Sequence, residues 1–101
     1  MSRDARQYVG VQEIDVGSSQ SVLVEPEEYG VSDNEWQCDI SIQNTGSTTV
    51  WVRPDNTETT KGVRLKAGES IDLNNHSSDA GDLFVYYPDS AGGTVNCAFF
   101  E

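Results

Sequence analysis

The clearest periodic signal in the chain is Trp36-Gln37-Cys38-Asp39-Ile40-Ser41-Ile42-Gln43. Apolar and polar residues alternate there without error, so Trp36, Cys38, Ile40 and Ile42 share one face and Gln37, Asp39, Ser41 and Gln43 the other. That is the pattern of a half-buried strand in an antiparallel sheet. Asn44-Thr45-Gly46-Ser47 supplies turn chemistry, and Thr49-Val50-Trp51-Val52-Arg53 resumes as a strand with Val50 and Val52 inward. Pro54-Asp55-Asn56 ends it, and a polar loop from Thr57 to Lys61 leads to Gly62-Val63-Arg64-Leu65-Lys66. Ala67-Gly68 then turns the chain into Glu69-Ser70-Ile71-Asp72-Leu73, so Val63, Leu65, Ile71 and Leu73 are expected in the core. Residues Asn74 to Gly81 read as loop. Two further strands, Asp82 to Tyr87 and Thr94 to Phe100, flank the turn-rich Pro88-Asp89-Ser90-Ala91-Gly92-Gly93.

The first 35 residues are less regular. Tyr8 to Val16 and Ser21 to Glu25 read as strands, but the apolar phase slips between Val11 and Ile14, which predicts a bulge or an arm paired with another chain. Glu25-Pro26-Glu27-Glu28-Tyr29-Gly30 is too polar to be core. No window of eleven residues repeats apolar positions at helical spacing. The chain is therefore predicted to be all-β: a small antiparallel β-sandwich or jelly-roll-like barrel of about eight short strands with an N-terminal arm. At about 100–200 residues per domain, this length makes one domain. Residues 1–35 would form the arm and edge strands, and residues 36–101 the sandwich core.

Composition narrows the function. Seventeen acidic residues against six basic ones give a net charge of −11, spread along the whole chain, whereas a basic patch is the footprint of nucleic-acid binding. No nucleic-acid partner is expected. A membrane-spanning helix needs about 20 apolar residues in a row, so no membrane partner is expected either. The N-terminus lacks the apolar stretch of a secretory signal and reads as that of a chain made in a cytosol. Two origins fit the acidity equally: a salt-loving host or its virus, where carboxylates hold water and molar salt screens their repulsion, and an ordinary acidic bacterial or phage protein.

Side-chain chemistry offers little. Cys38 and Cys97 both fall on inward strand positions, either as buried thiols or as a disulfide if their strands are neighbours. These two with His76 fall short of the four ligands of a closed zinc site. His76, in Asn74-Asn75-His76-Ser77-Ser78, is the single imidazole and the weak basis of a hydrolase reading; no nucleophile elbow accompanies it. Asp33, Glu35, Asp55, Glu58, Asp79 and Asp82 are loop carboxylates without EF-hand spacing. Asn75-His76-Ser77 matches a glycosylation sequon, a pattern common by chance. No catalytic residue, metal or cofactor is expected.

The informative residues are aromatics that alternation turns outward: Trp51, Phe84, Tyr86 and Phe100, with Tyr8 beside them. Gathered on neighbouring strands they would form an apolar patch of the kind that marks an interface. Burial of both faces within one sandwich, or under the N-terminal arm, is the competing account.

From Cys38 onward, over about two-thirds of the chain, Ile42-Gln43-Asn44-Thr45-Gly46-Ser47 leads into Val50-Trp51-Val52, and Leu65-Lys66-Ala67-Gly68-Glu69-Ser70 makes a second turn. Asp82-Leu83-Phe84-Val85-Tyr86 and a closing strand after Gly93-Thr94-Val95 follow. This succession resembles a β-rich module of tailed-virus structural proteins: head-decoration, turret and tail-associated proteins of phages and archaeal tailed viruses. The resemblance implies a virion protein without catalytic residues, made in the host cytoplasm. Foremost is a capsid decoration protein that binds the major capsid protein or other virion proteins and its own copies, a trimer being the natural unit. The alternative is a tail or turret module recognising a host surface glycan.

Overall fold

A computed structural model of the chain describes residues 7–16, 21–32, 35–53, 62–80, 82–86 and 93–101. Eight strands follow one another: β1 (Tyr8–Val16), β2 (Ser21–Leu23), β3 (Gln37–Asn44), β4 (Val50–Arg53), β5 (Val63–Leu65), β6 (Ser70–Ser77), β7 (Phe84–Tyr86) and β8 (Gly93–Phe100). They form two four-stranded sheets, ordered β1-β8-β3-β6 and β2-β7-β4-β5. The pairs β1·β8, β2·β7, β3·β6 and β4·β5 are all antiparallel. The chain thus behaves as one long hairpin rolled into two layers, and the β3·β8 and β4·β7 ladders stitch its rungs into sheets. This nesting is the jelly-roll order.

The expected alternation holds where both layers press together. Trp36, Cys38, Ile40 and Ile42 are buried from β3 and its approach, Val50 and Val52 from β4, Leu83 and Val85 at β7, and Val95, Cys97 and Phe99 from β8. Departures cluster at the edges. Val63, expected in the core, is 45% exposed, because the three-residue β5 is an edge strand that leaves its first residue at the sheet corner. Ile71 and Leu73, on edge strand β6, are half-buried.

Residues 8–16, read above as a bulged strand or an arm for another chain, pair with β8 of the same chain. The bulge lies between Tyr8 and Gly10, not between Val11 and Ile14. The phase slip has a different cause: Gln12 occupies the inward position in step with Ile14 and is 4% exposed. Its Nε2 donates to the Leu23 carbonyl at 3.0 Å and its Oε1 accepts from the Glu25 N–H at 2.8 Å. An amide with both ends satisfied can replace an aliphatic side chain inside. Gln12 thereby ties β1 to the chain leaving β2, across the two layers. The segment judged too polar for the core also contributes to it. Pro26 is buried at the start of a 3-10 turn, Pro26–Tyr29, flanked by buried Val24 and Val31.

The stretch read as loop from Asn74 onward continues β6 to Ser77 and then forms a short 3-10 turn, Ser78–Ala80. Asn75 takes a left-handed conformation, φ 59°, in a bulge opposite Cys38 and Ile40. Its N–H donates to Asp39 Oδ1 at 2.6 Å, and its side-chain oxygen accepts from Gln37 Nε2 at 2.8 Å. Asparagine tolerates that conformation better than most residues, and the carboxylate fixes it. The chain terminator expected at Pro54-Asp55-Asn56, the polar loop expected from Thr57 to Lys61 and most of the turn expected from Pro88 to Gly93 lie outside the described residues.

Candidate interaction faces

Each sheet has an inner face against the core and an outer face, and the outward aromatics divide between the two outer faces. On the β2-β7-β4-β5 sheet, Trp51 lies opposite Arg64 and Tyr86 in register, and Phe84 lies between Leu23 and Arg53. Trp51, Phe84 and Leu23 are half-buried. The Arg64 guanidinium sits over the Trp51 ring, 5.5 Å from its centroid, within the range of a cation–π contact. Arg53 is buried on the same face. The side chain of Tyr86 lies outside what is described.

Phe100 and Tyr8 belong to the opposite side of the molecule. They pair across β8 and β1 on the outer face of the other sheet, with ring centroids 5.9 Å apart and the planes at 66°. Val11 and Ala98, the next outward pair along the same ladder, extend this contact. Beside it Asp39, Ser41, Asp72, Asn74 and Phe100 line an open depression of about 280 Å³. The single aromatic patch expected from the sequence is therefore two smaller ones, on opposite faces of the sandwich.

Strand register also resolves the cysteines. β3 and β8 are neighbours, yet Cys97 pairs with Ile42, four residues along β3 from Cys38. At about 3.3 Å per residue the two are roughly 13 Å apart, where a disulfide requires Cα atoms within about 7 Å. Both are free, buried thiols. Burial pushes the Cys97 thiol up to about 12. Burial first, then the Glu101 and Asp39 carboxylates, push Cys38 up to about 11. An unfolded thiol titrates near 9.0, so above that pH the unfolded chain gives up a proton that the folded chain keeps, and stability falls as pH rises toward 11–12. Cys97 alone should account for roughly 1 kcal/mol of that loss at about pH 10. Thermal melts from pH 8.5 to 10.5 should fall more steeply for the wild type than for Cys38→Ala/Cys97→Ala, and native protein should resist alkylation until denatured.

His76 is the register partner of Cys38. It is half-buried with its ring 5.6 Å from that of Trp36, and burial lowers its pKa. With the imidazole pushed down and the thiol pushed up, the pair is held neutral, the reverse of a thiolate–imidazolium couple. Among the described residues no group of three or more His, Cys, Asp or Glu is placed to hold a metal ion. Of the six loop carboxylates named above, Asp33, Asp55 and Glu58 lie outside the described residues, and Glu35, Asp79 and Asp82 are exposed.

Sequence reasoning missed Arg64, Leu23 and Val11 as parts of these faces. Their outward phase was readable, but which strand lies beside which was not. No family model, no curated protein and no solved structure matches the chain.

Proposed function

We propose that this protein is a virion structural component, foremost a head-decoration protein that binds the capsid lattice and its own sister subunits. The observation that carries this reading is the pair of aromatic patches, half-buried Trp51 and Phe84 on one side and half-buried Phe100 with exposed Tyr8 on the other, on opposite outer faces of a two-layer sandwich. A small module with two adhesive faces can hold a lattice with one and a neighbour with the other. Symmetric repetition then multiplies contacts that are individually weak. The likeness of its turn segments to tailed-virus modules points the same way, and jelly-roll sandwiches are a common architecture of capsid domains. Lectins share that architecture, so the fold by itself does not select the function.

The partners in this reading are other copies of the chain and the major capsid protein, and its place is the virion, after synthesis in the host cytoplasm. Copy number is the decisive measurement. Purified virions quantified by mass spectrometry against their major capsid protein should contain this chain in hundreds of copies. A handful of copies, together with binding to host-surface glycans, would favour a tail or turret module that stacks sugars on Trp51. Absence from the particle would overturn both.

A further inference from the structure

We infer that the depression on the outer face of the β1-β8-β3-β6 sheet, lined by Asp39, Ser41, Asp72, Asn74 and Phe100, binds one arginine side chain presented by a partner protein. The inference deepens the proposed shell role and rests on it for the partner, which in that setting is a protein of the capsid lattice.

Strand register builds the depression. Ser41 lies opposite Ala98 on β8 and opposite Asp72 on β6, so two small side chains keep the sheet surface low between β8 and the β6 edge. Phe100 and Asp39, the next outward pair along the β3·β8 ladder, close one end. Asp72 and Asn74 stand along β6. Two of these walls are held in place. Tyr8 packs against the Phe100 ring from the β1 side, with centroids 5.9 Å apart, and the Asp39 carboxylate accepts the Asn75 N–H at 2.6 Å. Asp39 is 9% exposed, so a nearly buried carboxylate lies at the base, while Asp72 and Asn74 are exposed at the rim.

The chemistry of these walls selects the occupant. No strand position of this sheet carries a lysine or arginine, so the field at its outer face is negative and draws in cations. A neutral, hydroxyl-rich ligand would displace water from two carboxylates without bringing opposite charge. A hard metal ion takes about six or more oxygens, and among the described residues no three carboxylate, imidazole or thiol groups gather to hold one. An arginine answers each wall. Its guanidinium offers parallel N–H donors that match the Asp72 carboxylate bidentately, and its weakly hydrated plane lies well against an aromatic ring such as Phe100. The Asn74 amide oxygen and the Ser41 hydroxyl can accept the remaining N–H groups. At about 280 Å³ the space falls just below the roughly 300–1,000 Å³ of small-molecule pockets, enough for one side chain and too small for a folded segment. One such contact is weak, and a lattice multiplies it.

The test titrates isotope-labelled protein with N-acetyl-arginine methylamide and, separately, with its citrulline analogue, which keeps the shape and lacks the charge, following amide shifts by NMR. The arginine probe should move the amides of Ser41, Asp72, Asn74 and Phe100 together with a Kd of about 1–10 mM, and the citrulline probe should bind at least about tenfold more weakly. Raising salt from about 0.05 to about 0.5 M should weaken arginine binding severalfold. Asp72→Asn, at an exposed position, should keep the fold and lose about five- to tenfold in affinity, and Phe100→Leu about two- to fivefold. If Phe100→Leu fails to fold, Asp72→Asn and the citrulline comparison decide. Asp39 is left intact because its carboxylate also holds Asn75. No shift at about 50 mM arginine probe, equal binding of the citrulline probe, shifts centred elsewhere on the molecule, or a folded Asp72→Asn that binds as the wild type does overturns the proposal. So does methyl glucoside moving the same amides at the same concentration, which would make the depression a sugar site. None of these results touches the virion reading, which copy number in particles decides, and absence from the particle would remove the capsid as the source of the arginine without altering the titration.

Discussion

Replacing Phe99 by alanine is expected to lower stability by about 3–5 kcal/mol, the usual cost of truncating a fully buried phenylalanine. Against the 5–15 kcal/mol typical of a folded domain, that is enough to lower the melting temperature by roughly 15–30 °C. The site explains why the upper part of the range applies. Phe99 has no exposed surface and sits on β8, which lies between β1 and β3 inside its sheet. Its partner on β1 is Gly10, which offers no side chain to collapse into the space the ring would vacate. Nor can Gly10 be enlarged to fill it, since a Cβ there would run into the Tyr29 carbonyl oxygen. Tyr29 covers the ring from the 3-10 turn, stacked with centroids 6.4 Å apart and planes at 21°. Phe99→Leu retains much of the volume and should cost about a third as much. Urea titrations of the three proteins give the measurement, and equal midpoints for Phe99→Ala and the wild type would contradict this account of the core.

The second large effect is expected at Asn44, the first residue of the Asn44-Thr45-Gly46 turn. It ends β3 with no exposed surface. Its Nδ2 donates to the Thr48 carbonyl at 2.7 Å and to the Leu65 carbonyl at 3.0 Å, while its Oδ1 accepts from the Gly46 N–H at 3.0 Å. Leu65 belongs to β5, in the other sheet, so one amide closes its own turn and joins the two layers. Asn44→Ala takes the Nδ2 donor from the Thr48 and Leu65 carbonyls, each costing about 1–3 kcal/mol when left buried without a partner, while the Gly46 N–H keeps the Thr94 carbonyl at 3.1 Å. A loss of about 3 kcal/mol or more is expected. Asn44→Asp should be worse at neutral pH, because a carboxylate would face two carbonyl oxygens and have no proton to give them. Its folded-state pKa is then raised above the ordinary value, so its penalty applies at high pH and is relieved as pH falls toward the unfolded carboxyl value. Melts from pH 7 to pH 4 should show the gap between Asn44→Asp and the wild type narrowing; a constant gap would mean that the Nδ2 bonds contribute little.

These two residues illustrate what the pattern of the chain could disclose. Phe99 was legible because a strand with one buried face must place every second residue inside, and Val95, Cys97 and Phe99 obey that rule. Asn44 was legible as a turn residue but not as a buried link, since its partners come from segments four and twenty-one residues away. Gln12 was misread for a related reason: alternation assigns polar residues outward, and a fully hydrogen-bonded amide is the exception. Val63 was placed inside because hydropathy carries no mark of an edge strand. The aromatic faces show a further kind of gap. Periodicity separates inside from outside but is silent about which of two outsides a residue occupies, so Phe84 and Phe100 looked like neighbours and lie on opposite layers. The cysteines show the same gap in register, for their strands are adjacent while their positions are offset.

The nested pairing also governs how the chain can reach its structure. β8, the last strand in sequence order, lies inside its sheet, holding β1 on one edge and β3 on the other. Without it, β1 has no ladder, β3 keeps only β6, and the residues around Phe99 have nothing to close on. Little of the sandwich can form from a partial chain, since its rungs join distant segments and pay the closure entropy before the contacts that offset it. Folding in milliseconds to seconds, typical of such topologies, therefore begins from an essentially open chain. The outer face of the β1-β8-β3-β6 sheet comes into being only once β8 has docked, so any contact made through it waits for a finished fold.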